Sequence, residues 1–343
     1  ALPTDVRSAI IDKGGKIYQV GGAVRDDMLG KVSKDLDLLV VGIELKDLAT
    51  LLARFGKTNL VGKAFGIIKF VPEGATEEID ISVPRIDSKS TGKGHKDFEV
   101  KLGKGITLTQ DQLRRDFWMN AMARDVETGE IHDIDNKGRT DIENQEIRVI
   151  GSRAFREDPL RMLRAVQFAA RFDFKIESET MKQIKRNVNL IKTVSPERFQ
   201  EEFKKMFEKG TPSIGVDLLK ETGILKKLFP KAKGIFPVEY DKLDKKAFPA
   251  FLAVLLRGQK SKDIQSAMRL SSEDTNAVSD VLKYMAMRDV DSDVGLVRYM
   301  RTATPKGIQN VNYVLKAQRK IDLDYRLNSM RRVGKPTSMK ELA

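Results

Sequence analysis

The spacing of apolar residues divides the chain into two parts. Short apolar or alternating runs predict strands in the first part, at residues 17–20, 37–41, 67–71, 78–83 and 97–100. Residues 45–55 between them have the apolar stripe of an amphipathic helix. From Asp158 onward apolar residues recur at helical spacing, and strand patterns almost vanish after Val149. We therefore expect a mixed α/β head followed by a helical remainder.

Composition narrows the classes of protein that fit this pattern. The 343 residues include 62 basic and 49 acidic side chains, a formal net charge of +13, which favours a polyanionic partner such as nucleic acid. There are no cysteines and only His95 and His132, so thiolate sites, zinc centres and histidine triads are not expected. No long apolar run or signal-peptide pattern occurs, so we expect no membrane association and a cytoplasmic location.

A glycine-rich turn and an acidic strand form the first candidate site. Residues 21–26 read Gly-Gly-Ala-Val-Arg-Asp, a turn whose backbone can approach phosphates. Asp35 and Asp37 follow at positions i and i+2 and point to the same face of a strand. Such carboxylates repel each other unless a cation lies between them, and Mg²⁺ is the expected cation. The alternatives are a simple turn and two solvated or capping carboxylates.

Two other segments of the first part carry candidate chemistry. Asp80 lies on one face of the 78–83 strand and adds a third carboxylate if that strand pairs with the Asp37 strand; a polar outward face is the alternative. Arg115 and Asp116 lie near the start of a helix predicted to open at Leu113, where they can hold phosphate and ribose. For Asp116 the alternative is a helix cap.

Asp158 begins a stripe along the next helix. Asp158 before Pro159 predicts a helix cap, with the proline at the first helical position. Arg161 and Arg164 follow at spacings of three, so an acceptor and planar donors lie along one side, where they can pair with base edges. Residues 195–203 predict another helix start with a partial capping box.

These motifs, in chain order, resemble those of the class II tRNA nucleotidyltransferase and poly(A) polymerase family. The family pattern is a GG-x-V-R-D turn, a Leu-Gly pair, a basic residue and D-x-D, and residues 21–41 contain every part. Residues 114–121 are similar to its second motif and residues 156–172 to its base-reading motif. The resemblance covers about residues 15–210.

The resemblance implies roles for the matching residues. Asp35, Asp37 and Asp80 are implied as catalytic, with Asp35 and Asp37 holding two Mg²⁺ ions that activate the RNA 3′-hydroxyl and hold the triphosphate. The Gly22 backbone and Arg25 are implied to engage phosphates. The implied nucleotide-binding set is Gly21, Gly22, Arg25, Arg115, Asp116, Asn120, Asp158, Arg161 and Arg164. In the family, the residues at Asp158 and Arg161 recognise CTP or ATP.

The family also implies an α+β fold, with a polymerase-β-like mixed-sheet head and an all-helical neck, body and tail. The expected bounds are 1–145 for the head, 146–210 for the neck and 211–343 for the body and tail. Residues 88–96 are expected to form a mobile loop, and 195–203 to support the base-reading helix. Trp118 replaces a usual threonine and Gln167 a common arginine; for Trp118 we expect a core position.

The implied activity is transfer of CMP and AMP from CTP and ATP to the 3′ end of tRNA, releasing pyrophosphate. Poly(A) polymerases and enzymes that add only CC or only A share these motifs, so they stay open as alternatives. A non-catalytic RNA-binding protein with a nucleotidyltransferase head is the alternative from another class.

Overall fold

A computed structural model describes residues 2–32, 36–61, 66–87, 100–233, 239–289, 291–335 and 337–338. Asp35 and the expected loop at 88–96 lie outside the described residues. The chain forms two compact units, Ala1–Glu157 and Asp158–Ala343. Within the described residues no helix is long and apolar enough to cross a membrane.

The first unit is built on a mixed sheet. Its strands are β1 Lys16–Val20, β2 Asp37–Val41, β3 Gly56–Val61, β4 Ile67–Pro72, β5 Ile79–Ser82, β6 Arg85–Asp87, β7 Val100–Leu102, β8 Ala123–Asp125, β9 Ile131–His132 and β10 Glu146–Ile147. The large sheet has the order β3-β4-β5-β2-β1-β8-β9, and β6 pairs with β7 separately. Strands β2 and β5 run parallel, while the other pairs are antiparallel.

The helices of this unit are α1 Thr4–Asp12, α2 Gly22–Met28, α3 Leu45–Leu52, α4 Leu108–Leu113, α5 Lys137–Glu143 and α6 Ala154–Glu157. Helices α1 and α3 contribute Ile10 and Leu48 to a core that covers one face of the sheet. Leu38 and Val40 of β2 belong to this core. Because side chains alternate along a strand, Asp37 points to the opposite face.

The second unit is helical apart from the short strand β11 Lys175–Ile176. Its helices are α7 Leu160–Phe172, α8 Ser178–Asn187, α9 Pro196–Lys209, α10 Pro212–Glu221, α11 Ile224–Leu228, α12 Phe248–Leu255, α13 Ser261–Met268, α14 Ser272–Ala286, α15 Asp293–Thr302, α16 Pro305–Ala317 and α17 Leu323–Arg332. Helix α7 packs against α9. Stacked and tilted rings, including Phe207 and Phe251 with centroids 4.6 Å apart, fill the interior around α9 and α12.

The fold class expected from the sequence is confirmed, since a mixed sheet precedes a mostly helical remainder. Strands β1, β2, β4 and β5 lie where the patterns predicted them, and most of the 97–100 strand lies outside the described residues. The helix predicted over 45–55 ends at Leu52, and β3 was missed. Strand β3 begins at Gly56, where an added Cβ would lie 2.2 Å from the Val71 carbonyl oxygen, so its close pairing with β4 requires glycine at this position.

Candidate active site

The glycine turn brings two charged side chains to one point. Gly21 links β1 to α2 with φ 73° and ψ −139°, a conformation that side-chain-bearing residues rarely adopt. A Cβ placed on Gly21 would lie 3.7 Å from Asp37 Oδ2 and 3.5 Å from Arg115 Nη1. Gly21, Asp37 and Arg115, which belong to three separate sequence segments, are therefore adjacent in the fold.

The sheet register brings the second carboxylate to Asp37. Strands β2 and β5 are parallel neighbours, and Asp37 lies directly opposite Asp80. Side chains at paired positions of adjacent strands share a face, about 5 Å apart. The strand that carries Asp80 thus pairs with the Asp37 strand, as a third carboxylate at this site requires.

Lys69 of β4 lies on the other side of Asp80. Its Nζ is 3.4 Å from Asp80 Oδ1 and also bonds to Glu78. Hydrogen bonding to Glu78 is the main reason that the pKa of Lys69 is raised, so its positive charge persists at neutral pH. Lys69 was missed by the sequence reasoning, and the alternation of the β4 burial pattern would have placed it on this face.

The second motif, residues 114–121, does not form the predicted helix. No helix opens at Leu113: helix α4 ends there, having begun at Leu108 after the cap residue Thr107, which forms a capping box with Gln110. Phe117 is extended and pairs with Val149, after which Trp118–Asn120 forms a 3₁₀ turn. The helix prediction was wrong because the capping box starts α4 one turn earlier than the apolar pattern suggests.

A buried carboxylate fixes the arginines of this motif. Asp111 of α4 is fully buried, and its oxygens lie 2.7 Å from Arg114 Nη2 and 3.1 Å from Arg115 Nη2. Its Oδ1 also accepts a hydrogen bond from the Arg85 backbone. Asp111 was not identified from the sequence; its position four residues before Arg115 on a helix was the available signal.

Asp116 stabilises the turn that follows it. Its Oδ1 accepts from the Phe117 backbone N–H at 2.8 Å and from Asn120 Nδ2 at 3.0 Å. The Arg25 guanidinium lies against Gly22, where an added Cβ would be 3.0 Å from Nη2, and donates to Asn120 Oδ1. Arg25 is 3% exposed. The phosphate contact expected for Arg25 stays a prediction.

Trp118 and Gln167, which depart from the family pattern, are both internal. Trp118 packs with Ala121 and Ile150, as expected of a core residue. The ammonium of Lys137 covers its ring at 4.5 Å from the centroid. Gln167 is 2% exposed on α7, among the buried side chains of that helix.

In the second unit, α9 holds the residues expected to read the base. Arg198 of α9 donates to both carboxylate oxygens of Asp158, at 3.2 and 2.8 Å. Asp158 Oδ1 also accepts from the Leu160 backbone at 3.1 Å. The prediction of Asp158 as the helix cap with Pro159 at the first helical position was wrong by one residue, since the helix begins at Leu160 and Pro159 takes the cap position.

The two arginines of the stripe follow on α7. Arg161 lies in the first turn, where its backbone N–H bonds to the Asp158 carbonyl. Arg164 Nη1 is 3.3 Å from Glu202 Oε1 of α9, and its guanidinium lies over the Phe168 ring. Glu202 and Arg198 were missed as individual residues, although the segment 195–203 was expected to support this helix, and the contacts agree with that expectation.

Two sequence profiles of known proteins match this chain. The sequence profile of the poly(A) polymerase head domain matches residues 17–148. A second profile, described as a probable RNA and SrmB-binding site of polymerase A, matches residues 173–235. Together the two profiles match more than half of the chain, which belongs to the poly(A) polymerase family that they describe.

Two similar curated proteins are named for CCA addition. The chain is 40% identical over 225 residues to a multifunctional CCA protein of Nitrosomonas europaea, covering 65% of this chain and 52% of that protein. It is 35% identical to a CCA-adding enzyme of Pseudomonas entomophila, covering 64% and 57%. This family member therefore spans about half the length of these curated relatives.

Solved structures extend the likeness to nearly the whole chain. The Bacillus stearothermophilus CCA-adding enzyme in complex with CTP matches with a TM-score of 0.75 and 25% identity, covering 96% of this chain and 80% of that one. The Thermotoga maritima CCA-adding enzyme complexed with tRNA matches in fold with a TM-score of 0.70 and 22% identity, covering 96% and 82%.

Proposed function

We propose that this protein adds CMP, CMP and AMP, from CTP and ATP, to the 3′ end of tRNA and releases pyrophosphate. The observation that carries the proposal is the register of Asp37 and Asp80 beside the Gly21 turn, with Arg115 at the same point. Carboxylates, a phosphate-permissive turn and a fixed guanidinium are the parts that nucleotidyl transfer requires. CCA addition by the relatives supports this choice of reaction.

Mg²⁺ is the proposed cofactor. Asp37 and Asp80 fit it, because they supply oxygen ligands from neighbouring strands on one face, and the sequence places Asp35 on the face of Asp37. Among the described residues no group of three acidic, histidine or cysteine side chains forms a metal site, and Asp35 lies outside them. When bound, Mg²⁺ neutralises the triphosphate and acidifies the attacking hydroxyl.

The head supplies the residues that hold the parts common to all nucleoside triphosphates. Arg115 offers donors to phosphate oxygens while Asp111 holds its other end. The turn at Gly21 and Gly22 lets the backbone approach the phosphates. Asp116 accepts from ribose hydroxyls, with Asn120 beside it.

The helical unit supplies the residues that distinguish bases. Asp158 accepts and Arg161 donates, which suits the amine and ring nitrogen that both cytosine and adenine present. Arg164 completes the stripe on α7. Uracil and guanine present the opposite polarity, so the same pair disfavours them.

Binding of tRNA is proposed for the helical neck, body and tail, with the expected bounds 146–210 and 211–343. The net charge of +13 neutralises an RNA backbone, and the profile match at 173–235 is to an RNA-binding segment. We infer a cytoplasmic location from the proposed tRNA substrate.

One incubation tests the proposal. The protein is given tRNA that lacks its last three nucleotides, with CTP alone, ATP alone, both together or neither, and products are sized while pyrophosphate is measured. We expect two additions with CTP alone and three with both nucleotides. An Asp37→Asn protein prepared in parallel controls for contaminating transferases.

The remaining candidates give other products. A ladder of A residues on unrelated RNA identifies a poly(A) polymerase, and extension that stops after CC, or that requires a pre-existing CC end, identifies a partial enzyme. Retention of tRNA without pyrophosphate release identifies a non-catalytic RNA-binding protein. Each of these results contradicts the proposed reaction.

A further inference from the structure

A chain of buried hydrogen bonds connects α2 to the second motif. Arg25 donates from Nε and Nη2 to Asp26 Oδ1, at 2.8 and 2.6 Å, and from Nη1 to Asn120 Oδ1 at 2.5 Å. Asn120 Nδ2 then donates to Asp116 Oδ1 at 3.0 Å. Arg25 is 3% and Asn120 6% exposed, so water competes little for these bonds.

The direction of each bond is forced by chemistry. A guanidinium can only donate, so Asn120 turns its carbonyl oxygen towards Arg25. Its amide nitrogen therefore faces Asp116, whose Oδ1 accepts the hydrogen bond. An aspartate at position 120 would keep the acceptor for Arg25 but would place a second carboxylate against Asp116.

We propose that Arg25 and Asn120 are positioning residues that fix the carboxylate of Asp116 for selection of ribose over 2′-deoxyribose. This inference rests on the proposed function, which assigns Asp116 to the ribose hydroxyls. Arg25 then acts through Asn120 and does not touch the triphosphate. Its burial against Gly22 and its bonds to Asp26 and Asn120 leave its charge directed into the protein.

The test separates sugar selection from phosphate binding. Parent, Asn120→Asp and Arg25→Lys proteins are titrated with CTP, 2′-deoxy-CTP and inorganic tripolyphosphate, and transfer to tRNA is measured with both nucleotides. Tripolyphosphate reports phosphate contacts and lacks a sugar. Arg124→Lys is the matched control, since Arg124 pairs with Asp27 at a partly exposed position of β8.

We expect the preference of Asn120→Asp for CTP over deoxy-CTP to fall about tenfold to a hundredfold, the loss typical of a hydrogen bond to a charged group. Arg25→Lys should lower the preference in the same direction, because an ammonium cannot bridge Asp26 and Asn120 as a fork does. Tripolyphosphate affinity should stay within about twofold.

Other results overturn the inference. An intact ribose preference in both variants refutes positioning, and so does a tripolyphosphate affinity that falls in Arg25→Lys as far as CTP affinity does. Melting temperatures identify a variant that fails to fold, in which case the other variant decides. A parent that prefers CTP in binding but never extends tRNA contradicts the proposed function alone, whereas a parent without ribose preference contradicts this inference alone.

Discussion

The ion pairs that hold Arg115 in the head and Asp158 in the helical unit use the same residue types at different depths. In the head, Asp111 binds two arginines from a fully buried position, and Arg25 is 3% exposed. In the helical unit, the Asp158 and Arg198 side chains are 30% and 51% exposed. Charges that water does not screen interact strongly, whereas exposed pairs contribute at most about 1 kcal/mol.

This difference matches what each region is proposed to bind. Triphosphate and ribose are identical in CTP and ATP, so a rigid, buried framework can serve both. The base differs between them, and Asp158, which is held by an exposed ion pair, can adjust at small cost, whereas Arg164 is held by Glu202, which is 3% exposed. The contrast between Asp111 and Asp158 teaches that burial, more than residue identity, separates a fixed contact from an adjustable one.

The largest effect should come from the carboxylates on the sheet. Asp35→Ala or Asp37→Ala should reduce the transfer rate at least about a thousandfold, because loss of metal binding removes several kcal/mol of transition-state stabilisation. Single-turnover rates and tRNA affinity are measured, and affinity should be nearly unchanged. Glu78→Gln, on the exposed carboxylate bonded to Lys69, is the control. A rate within tenfold of the parent would remove the metal assignment.

Asp111→Ala should destabilise the protein by about 3 kcal/mol, because it leaves the guanidinium groups of Arg114 and Arg115 without their buried partner. Urea unfolding followed by circular dichroism measures this free energy. Asp27→Ala removes a carboxylate that is 61% exposed and paired with Arg124, and should cost under about 0.5 kcal/mol. Equal effects of the two changes would break the contrast between buried and exposed positions.

Asp158→Ala should lower the use of CTP and ATP together, by about 1–3 kcal/mol each, and should relax the exclusion of UTP and GTP. A purely capping Asp158, which its bond to Leu160 supports, predicts a lower melting temperature with nucleotide choice intact. Four single-nucleotide incorporation rates and a melting curve on this variant decide between the two roles. Asp217→Ala, at a position 78% exposed on α10, is the control.

Affinity for tRNA should fall about tenfold or more across a fourfold rise in salt, because basic side chains release counterions from the RNA backbone. Fluorescence anisotropy of labelled tRNA at several salt concentrations measures the slope. A flat response would mean that the excess of 62 basic over 49 acidic residues serves a purpose other than RNA binding.

The smallest effect is expected for the exposed partner of Asp158. Arg198→Ala should change the free energy of unfolding by less than about 1 kcal/mol, since the pair it breaks is open to solvent. The same urea titration provides the measurement. A loss as large as that of Asp111→Ala would show that both regions rely equally on their ion pairs.

Much of the catalytic face could be predicted from the sequence because the relevant signals are local. Because side chains alternate along a strand, Asp37 is predicted to lie on the other face of the sheet from Leu38, and the structure agrees. The short apolar runs located β1, β2, β4 and β5 for the same reason. The prediction of a helix starting at Leu113 was wrong because Thr107 and Gln110 form a capping box that starts α4 earlier in the chain.

The sequence by itself determined the family, the order of an α/β part before a helical part, and the candidate residues of each motif. Only the tertiary structure decided that Asp37 lies opposite Asp80, since register depends on strand pairing between distant segments. It also decided that Arg25 meets Asn120, 95 residues away, and that Arg198 meets Asp158. Local patterns encode which face a side chain occupies, whereas its partner is fixed by packing of elements that are far apart in the chain.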